Sequence, residues 1–402
     1  MRILVCGNIN SGKSYLIDKL KTMLPKYDIA QIDAYRNQYG DGTIEKELLA
    51  RTKFVEAVTR NDNIIVELSG MGPLARQLQE AIPPKTFIIL YVDTDAEICV
   101  RRLKDKDFSR IPYPVYQEEM SDTIRRIGKE LINGELHQLW LSKALQIIRI
   151  ISIDELTNLP FSHYEKLCDI LKLLIPNTDV KEIVAFGSLG RNELSKLSDI
   201  DLSITTTMTV DEVAKLYKYV ADITFIDTVE NKVTIRFGDI LIELVIVQNQ
   251  KDNMWYYVNS MVKCSEATVI KGDADLVQAL QTAIDDFSFN EEKMIEQTIK
   301  RLIFFVLSLD NIAKKGDDYK FFFHNNIIIH EIIRLQLFSK GVFQYNYLPK
   351  MALDKLEGID IKNLLYDFNI DKQKHIKNIK AITAETLKKV GCKEKKYYDI
   401  LC

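Results

Sequence analysis

The sequence predicts an α/β domain, then an α+β domain, then a C-terminal α-helical domain. Three observations carry this reading. Residues 2–6 form an apolar stretch that runs into a glycine loop and then a helical pattern. A second apolar stretch, Ile183 to Phe186, ends in Gly187-Ser188 and precedes a strand presenting Asp199-Ile-Asp201. From Leu276 onward apolar residues recur at bundle spacing, as at Ile295, Ile299, Leu302, Ile303 and Val306. A chain of 402 residues suits two or three domains, and the breaks fall at 1–157, 158–275 and 276–402.

The first domain opens with Gly7-Asn-Ile-Asn-Ser-Gly12-Lys13-Ser14 between strand and helix. In that context the backbone N–H groups of Gly7, Asn10, Ser11 and Gly12, with the positive helix end, can cradle phosphates. Lys13 then reaches the β- and γ-phosphates, and the Ser14 hydroxyl ligates Mg²⁺. The next strand, Ile29 to Ile32, delivers Asp33 to the carboxyl edge of the sheet, where a carboxylate can orient or deprotonate an acceptor hydroxyl. A third strand, Asn63 to Leu68, ends beside Glu67, suited to a metal's water shell or to substrate. A fourth, Thr86 to Val92, leads into a helix bearing Arg101 and Arg102 and a loop containing Arg110. Arginines placed there can clamp a transferring phosphoryl group, although a solvated helix face explains Arg101 or Arg102 singly. One long helix between Met120 and Leu145 and a fifth strand, Ile147 to Ile153, complete the domain.

These residues resemble the P-loop kinase group that includes nucleoside, shikimate, zeta-toxin-like and chloramphenicol-phosphorylating kinases. The resemblance spans about residues 1–157 and implies phosphoryl transfer from ATP or another NTP with Mg²⁺. Lys13 and Ser14 carry over on the motif itself; Asp33, Arg102 and Arg110 carry over by position.

In the second domain, carboxylates two apart on a strand share a face. Asp199 and Asp201 are therefore candidates for a divalent metal, since hard cations take carboxylate oxygen. Residues 240–247 read as one apolar strand interrupted by Glu243 alone, and such a charge is seldom buried without a partner. Strand, Gly-Ser, short linker and Asp-Ile-Asp together resemble the nucleotidyltransferases of the DNA polymerase β superfamily, in particular their minimal and antibiotic-modifying branch. The resemblance implies that Gly187 and Ser188 hold the triphosphate, that Asp199, Asp201 and Glu243 bind Mg²⁺ or Mn²⁺, and that a nucleotidyl group moves to an acceptor. The plainer reading has Asp199 capping a helix and Glu243 facing solvent. Lys271, after the next strand, reads as an exposed turn lysine more readily than as a phosphate contact.

In the helical domain His324 and His330 are six apart and do not share a helix face. The resemblance to antibiotic-modifying nucleotidyltransferases implies a C-terminal helical domain that closes the cleft and supplies a carboxylate to activate the acceptor hydroxyl, for which Glu331 is the candidate. The six cysteines are scattered, with no paired spacing for zinc, and fit reduced thiols. No signal peptide and no run long enough to span a bilayer is visible, so a cytoplasmic location is expected. Lys and Arg total 54 against 57 Asp and Glu, net −3. That balance argues against general nucleic-acid binding and leaves a local basic face open. The expected partners are NTPs and a small-molecule hydroxyl or phosphate acceptor, with phosphorylation and NMP transfer as one sequential scheme. A macromolecular target, a tRNA end or a protein hydroxyl, is the alternative.

Overall fold

The computed structural model describes residues 1–105, 111–113, 118–260, 262–343, 356, 364–366 and 371–401. The chain forms two compact units, Met1–Met254 with Val262–Thr282, and Trp255–Met261 with Ala283–Cys402.

Two sheets build the first unit. The N-terminal sheet contains β1 (Arg2–Gly7), β2 (Asp28–Gln31), β3 (Ile64–Leu68), β4 (Phe87–Val92) and β5 (Gln146–Ile150) in the order β2-β3-β1-β4-β5, every pair parallel. Its strands are apolar on both faces because helices cover both. Leu4, Cys6, Ile64, Val66, Phe87 and Ile89 pack with Phe54, Ala75, Leu78 and Trp140 of the helices Ile44–Arg60, Gly72–Ala81 and Glu135–Trp140. The alternate positions Ile3, Val5, Ile65, Ile88 and Leu90 pack on the opposite face against Leu16, Ile17 and Leu20 of helix Lys13–Met23.

The second sheet is mixed: β6 (Val180–Phe186), β7 (Ile200–Thr206), β8 (Phe225–Val229), β9 (Lys232–Phe237), β10 (Ile240–Val247) and β11 (Val269–Lys271) lie in the order β11-β6-β7-β10-β9-β8. Only β7 and β10 run parallel; the other pairs are antiparallel. One face, carrying Ile183, Ile200, Leu202, Ile204, Ile235, Ile242 and Leu244, shares a continuous core with helix Phe161–Leu174 and the near face of the first sheet. The two-residue period sends Asp201 and Glu243 to the other face.

Several sequence boundaries shift for local reasons. β2 stops at Gln31, and Asp33 lies in the first turn of helix Ile32–Tyr39, where a carboxylate suits the helix dipole. The long helix expected from Met120 divides into Met120–Ile132 and Glu135–Trp140 around Gly134, whose φ of +79° breaks the helical path. β5 ends at Ile150 because Ser152 caps a 3₁₀ turn, Ile153–Asn158.

The second unit is helical among its described residues. Helices Glu291–Lys315, Asp318–Phe338 and Lys372–Lys389 surround a core that includes Leu302, Val306, Phe321, Ile328, Ile332 and Ile379. Among the described residues no helix is long and apolar enough to cross a membrane, and the described cysteines are free thiols.

Candidate active sites

The first site lies at the carboxyl edge of β1, where a parallel sheet leaves its ligand crevice. Gly7 has φ +155°, and a Cβ there would stand 2.7 Å from the Val92 carbonyl oxygen, so the turn requires glycine. Gly12, at φ +104°, starts helix Lys13–Met23 in a left-handed conformation. The Lys13 ammonium curls back onto its own loop, donating to the carbonyls of Gly7 at 3.1 Å and Asn8 at 2.6 Å. Ser11 Oγ is buried with no hydrogen-bond partner among the described residues, the kind of group a bound phosphate satisfies. The Ser14 hydroxyl donates to Glu67 Oε1 at 3.1 Å, and Gln31 Nε2 donates to Glu67 Oε2. Arg102 Nη1 donates to the Asn10 carbonyl at 2.9 Å, which holds that guanidinium over the loop. Arg110 lies outside the described residues.

A cavity of about 890 Å³ opens from this loop toward Asp33, Arg36, Arg51, Glu67 and Tyr113. Asp33 accepts from Arg36 Nη1 at 2.9 Å and from the Tyr113 hydroxyl at 3.0 Å. Burial pulls the Arg36 guanidinium down, yet Glu47 and Asp33 outweigh it and hold the group charged. Arg36, Glu47, Arg51 and Tyr113 have no role in the reading of the sequence. Part of the signal was there: Arg36 follows Asp33 by three, and Arg51 follows Glu47 by four, both neighbours on a helix. Tyr113 lies 80 residues from Asp33, and no local pattern connects them.

The second site lies on the face of the mixed sheet away from the core. β7 and β10 pair in parallel with Asp201 directly beside Glu243, and Asp201 also faces Phe186, the last residue before Gly187. Asp199 precedes β7 on exposed backbone, and its carbonyl accepts from Ser188 Oγ at 3.3 Å. Gly187 has φ +59°, and a Cβ there would stand 2.0 Å from Asp201 Oδ2, so the turn is closed against the carboxylate. Burial, then the neighbouring Asp199 and Glu243, push the Asp201 carboxyl up to about 7. Lys232 Nζ, one strand over, sits 3.5 Å from Glu243 Oε2 and offsets part of that charge; its pairing across β9 and β10 was not foreseen.

As the side chains stand, no three His, Cys, Asp or Glu residues among the described residues form a ready metal cage. The donor chemistry nonetheless suits a hard cation: carboxylates on adjacent strands, one crowded by its neighbours, beside a glycine whose missing Cβ leaves room for nothing bulkier. Lys271 donates to the Asn177 carbonyl at 2.8 Å, a structural contact. In the helical unit Glu331 is buried in ion pairs with Arg301 at 3.1 Å and Arg334 at 3.2 Å, and His324 packs edge-on against Phe305.

Comparison with known proteins gives one family match: residues 168–251 fit the model described as Polymerase beta, Nucleotidyltransferase. No curated protein matches the chain. Shikimate kinase from Acinetobacter baumannii in complex with shikimate is 17% identical, covering 44% of this chain and 94% of its own, with a TM-score of 0.28. A nucleotidyltransferase-like protein from Exiguobacterium sibiricum 255-15 is 16% identical, covering 57% and 75%, with a TM-score of 0.31. Shikimate kinase from Bacteroides thetaiotaomicron is 16% identical, covering 43% and 99%, with a TM-score of 0.27. Over residues 168–251, behind a parallel α/β domain, the chain resembles the polymerase β nucleotidyltransferases.

Proposed function

We propose that the chain is a bifunctional transferase, an NTP-dependent kinase joined to a metal-dependent nucleotidyltransferase, acting on a small-molecule acceptor. The observation that carries the second activity is the direct pairing of Asp201 with Glu243 beside the Gly187 turn. Asp199, Asp201 and Glu243 would hold Mg²⁺ or Mn²⁺ there, and Ser14 with Glu67 would do so in the first site. Bound metal supplies Lewis-acid stabilisation of charge on phosphate oxygens.

In the first site the loop's backbone N–H groups and Lys13 hold the β- and γ-phosphates. Lys13 has only to turn from its own carbonyls to the ligand's oxygens. Asp33 takes the proton of the acceptor hydroxyl, whose oxygen bonds to the γ-phosphorus as the bond to the bridging oxygen breaks and the nucleoside diphosphate leaves. Arg102 faces the charge that develops on the transferred group. In the second site Ser188 and the Gly187 turn hold the triphosphate. The acceptor oxygen bonds to the α-phosphorus as the bond to the α–β bridging oxygen breaks, pyrophosphate leaves with the bonding pair, and a hydroxyl acceptor's proton passes to solvent. Both sites belong to one compact unit, which suits phosphorylation followed by NMP transfer, though each activity stands without the other.

The test is an assay of the purified chain with α- and γ-labelled NTPs and a cell metabolite extract. Lys13→Ala should remove γ-label transfer alone and Asp201→Asn α-label transfer alone. A variant of either kind that kept full transfer would refute the assignment of its site.

A further inference from the structure

Among the described residues, the acceptor side of the first cavity carries Arg36, Arg51 and Asp33, with Glu47 paired to both arginines, and these four charges cancel. Arg36 donates through Nε and Nη2 to both Glu47 oxygens, at 2.8 and 2.7 Å, and through Nη1 to Asp33 at 2.9 Å. Arg51 Nε donates to Glu47 Oε1 at 2.7 Å. Glu47 is nearly buried, its side chain 5% exposed, and the Tyr113 ring covers the Arg36 guanidinium at 4.8 Å. Two cations and two carboxylates thus sum to zero with every ion-pair contact inside 3 Å. A further arginine on this wall, Arg126, is paired with Glu118 at 3.3 Å and Glu130 at 2.9 Å. Apolar side chains make up much of the rest of this wall, Ile32, Met71, Pro73, Leu74, Met120 and Ile127, with the uncharged polar groups of Gln31, Ser69 and Thr123 among them.

We infer that the first site phosphorylates an uncharged, hydroxyl-bearing acceptor with an apolar body, and discriminates against acceptors that carry a carboxylate or phosphate. The inference rests on the kinase reading of that site. An anion brought against Arg51 would also face Glu47, and one brought against Arg36 would face Glu47 and Asp33, so attraction and repulsion largely cancel while its hydration is lost. An uncharged hydroxyl needs only Asp33 as acceptor of its proton, and the apolar wall takes the rest of the molecule. The hydroxyl oxygen gains the γ-phosphoryl group, the bridging oxygen keeps the bonding pair as ADP leaves, and the proton passes to Asp33.

The experiment uses the full chain, γ-labelled ATP and a metabolite extract separated by ion exchange into neutral, basic and acidic fractions. Label should enter the neutral fraction at least about tenfold more than either charged one, the ratio that corresponds to about 1.4 kcal/mol of discrimination. Glu47→Gln, which leaves the two arginines one carboxylate, should move preference toward the acidic fraction by about the same factor. Should that variant fail to fold, the wild-type fractions decide alone. Greater labelling of a charged fraction overturns the inference. So does absence of labelling in all three while the wild type binds ATP and Lys13→Ala does not, because the acceptor is then not a small molecule. Absence of ATP binding by the wild type would instead remove the kinase reading on which the inference stands.

Discussion

Lys13 and Asp201 each carry one proposed activity, and their surroundings differ in sign. Lys13 is nearly buried and donates to the Gly7 and Asn8 carbonyls of its own loop. Lys13→Ala should lower phosphoryl transfer by about a thousandfold, since a preorganised cation facing transition-state charge is of that order of importance. NTP turnover by the second site should stay within twofold, as steady-state assays with α-labelled NTP will show. Asp201 instead sits among like charges, with Asp199 and Glu243 pressing on it. Asp201→Asn should remove nucleotidyl transfer by a comparable factor while leaving phosphoryl transfer intact. The same variant loses a crowded charge, so its melting temperature should hold or rise. A large drop in melting temperature would mean that Asp201 serves the fold rather than the chemistry. Both residues were legible in the sequence, because loop and Asp-x-Asp are local patterns. The Arg36–Glu47–Arg51 wall was not, because its members lie on two helices whose approach no local pattern states.

At the scale of elements, each site depends on a turn that admits no side chain. Gly187 joins β6 to the short helical turn Gly187–Gly190 at φ +59°, with Asp201 closed against it. Gly187→Ala should cost about 1–3 kcal/mol through left-handed strain and the clash with the carboxylate. It should also abolish nucleotidyl transfer, with urea unfolding and the two transfer assays measured side by side. If transfer survives at wild-type rate, the turn does not hold the triphosphate. The existence of most strands was visible from apolar runs. Their ends were less so: β2 yields Asp33 to a helix, and the helix from Met120 breaks at Gly134, since a left-handed glycine and a helix start weigh little against an apolar period read over many residues.

At the scale of the whole molecule, the two sheets of the first unit share one core through helix Phe161–Leu174. Leu171 and Leu174 are buried between them, Tyr164 bonds Gln146, and Lys172 pairs with Asp62 at 3.1 Å. Leu171→Ala should cost about 2–5 kcal/mol, and residues 1–157 and 158–282 should melt in one calorimetric transition. Two separate transitions would show that the halves fold independently. Lys85 is a second stitch, donating at 3.0 Å to the carbonyls of Ala144 and Glu266. Burial, partly countered by Glu266, pulls its ammonium down to about 8. Below pH 8 both folded and unfolded states carry the charge and the burial cost is constant. Between about 8 and 10.5 the unfolded chain binds the extra proton, so stability from this group rises with pH. Wild type should therefore gain about 3 kcal/mol on Lys85→Met between pH 8 and 10.5, measured as the difference of their urea curves so that tyrosine and cysteine titrations cancel. A difference flat in pH would mean that Lys85 titrates normally.

What the sequence by itself determined is the local structure: a strand, glycine loop and helix at the N-terminus, a strand carrying Asp201 after Gly-Ser, and helical spacing toward the C-terminus. Those signals need only neighbouring residues and the periods of strand and helix. The resemblance implied one site for Glu243 and Asp201, and tertiary structure decided the register that sets them side by side, through the parallel pairing of two strands some forty residues apart. It alone decided that Glu47 neutralises Arg36 and that Tyr113 reaches Asp33. It alone decided that the two sheets close on one core. Contacts between distant segments depend on which apolar faces bury together, and that choice is made by the packed chain as a whole, not by any stretch of it.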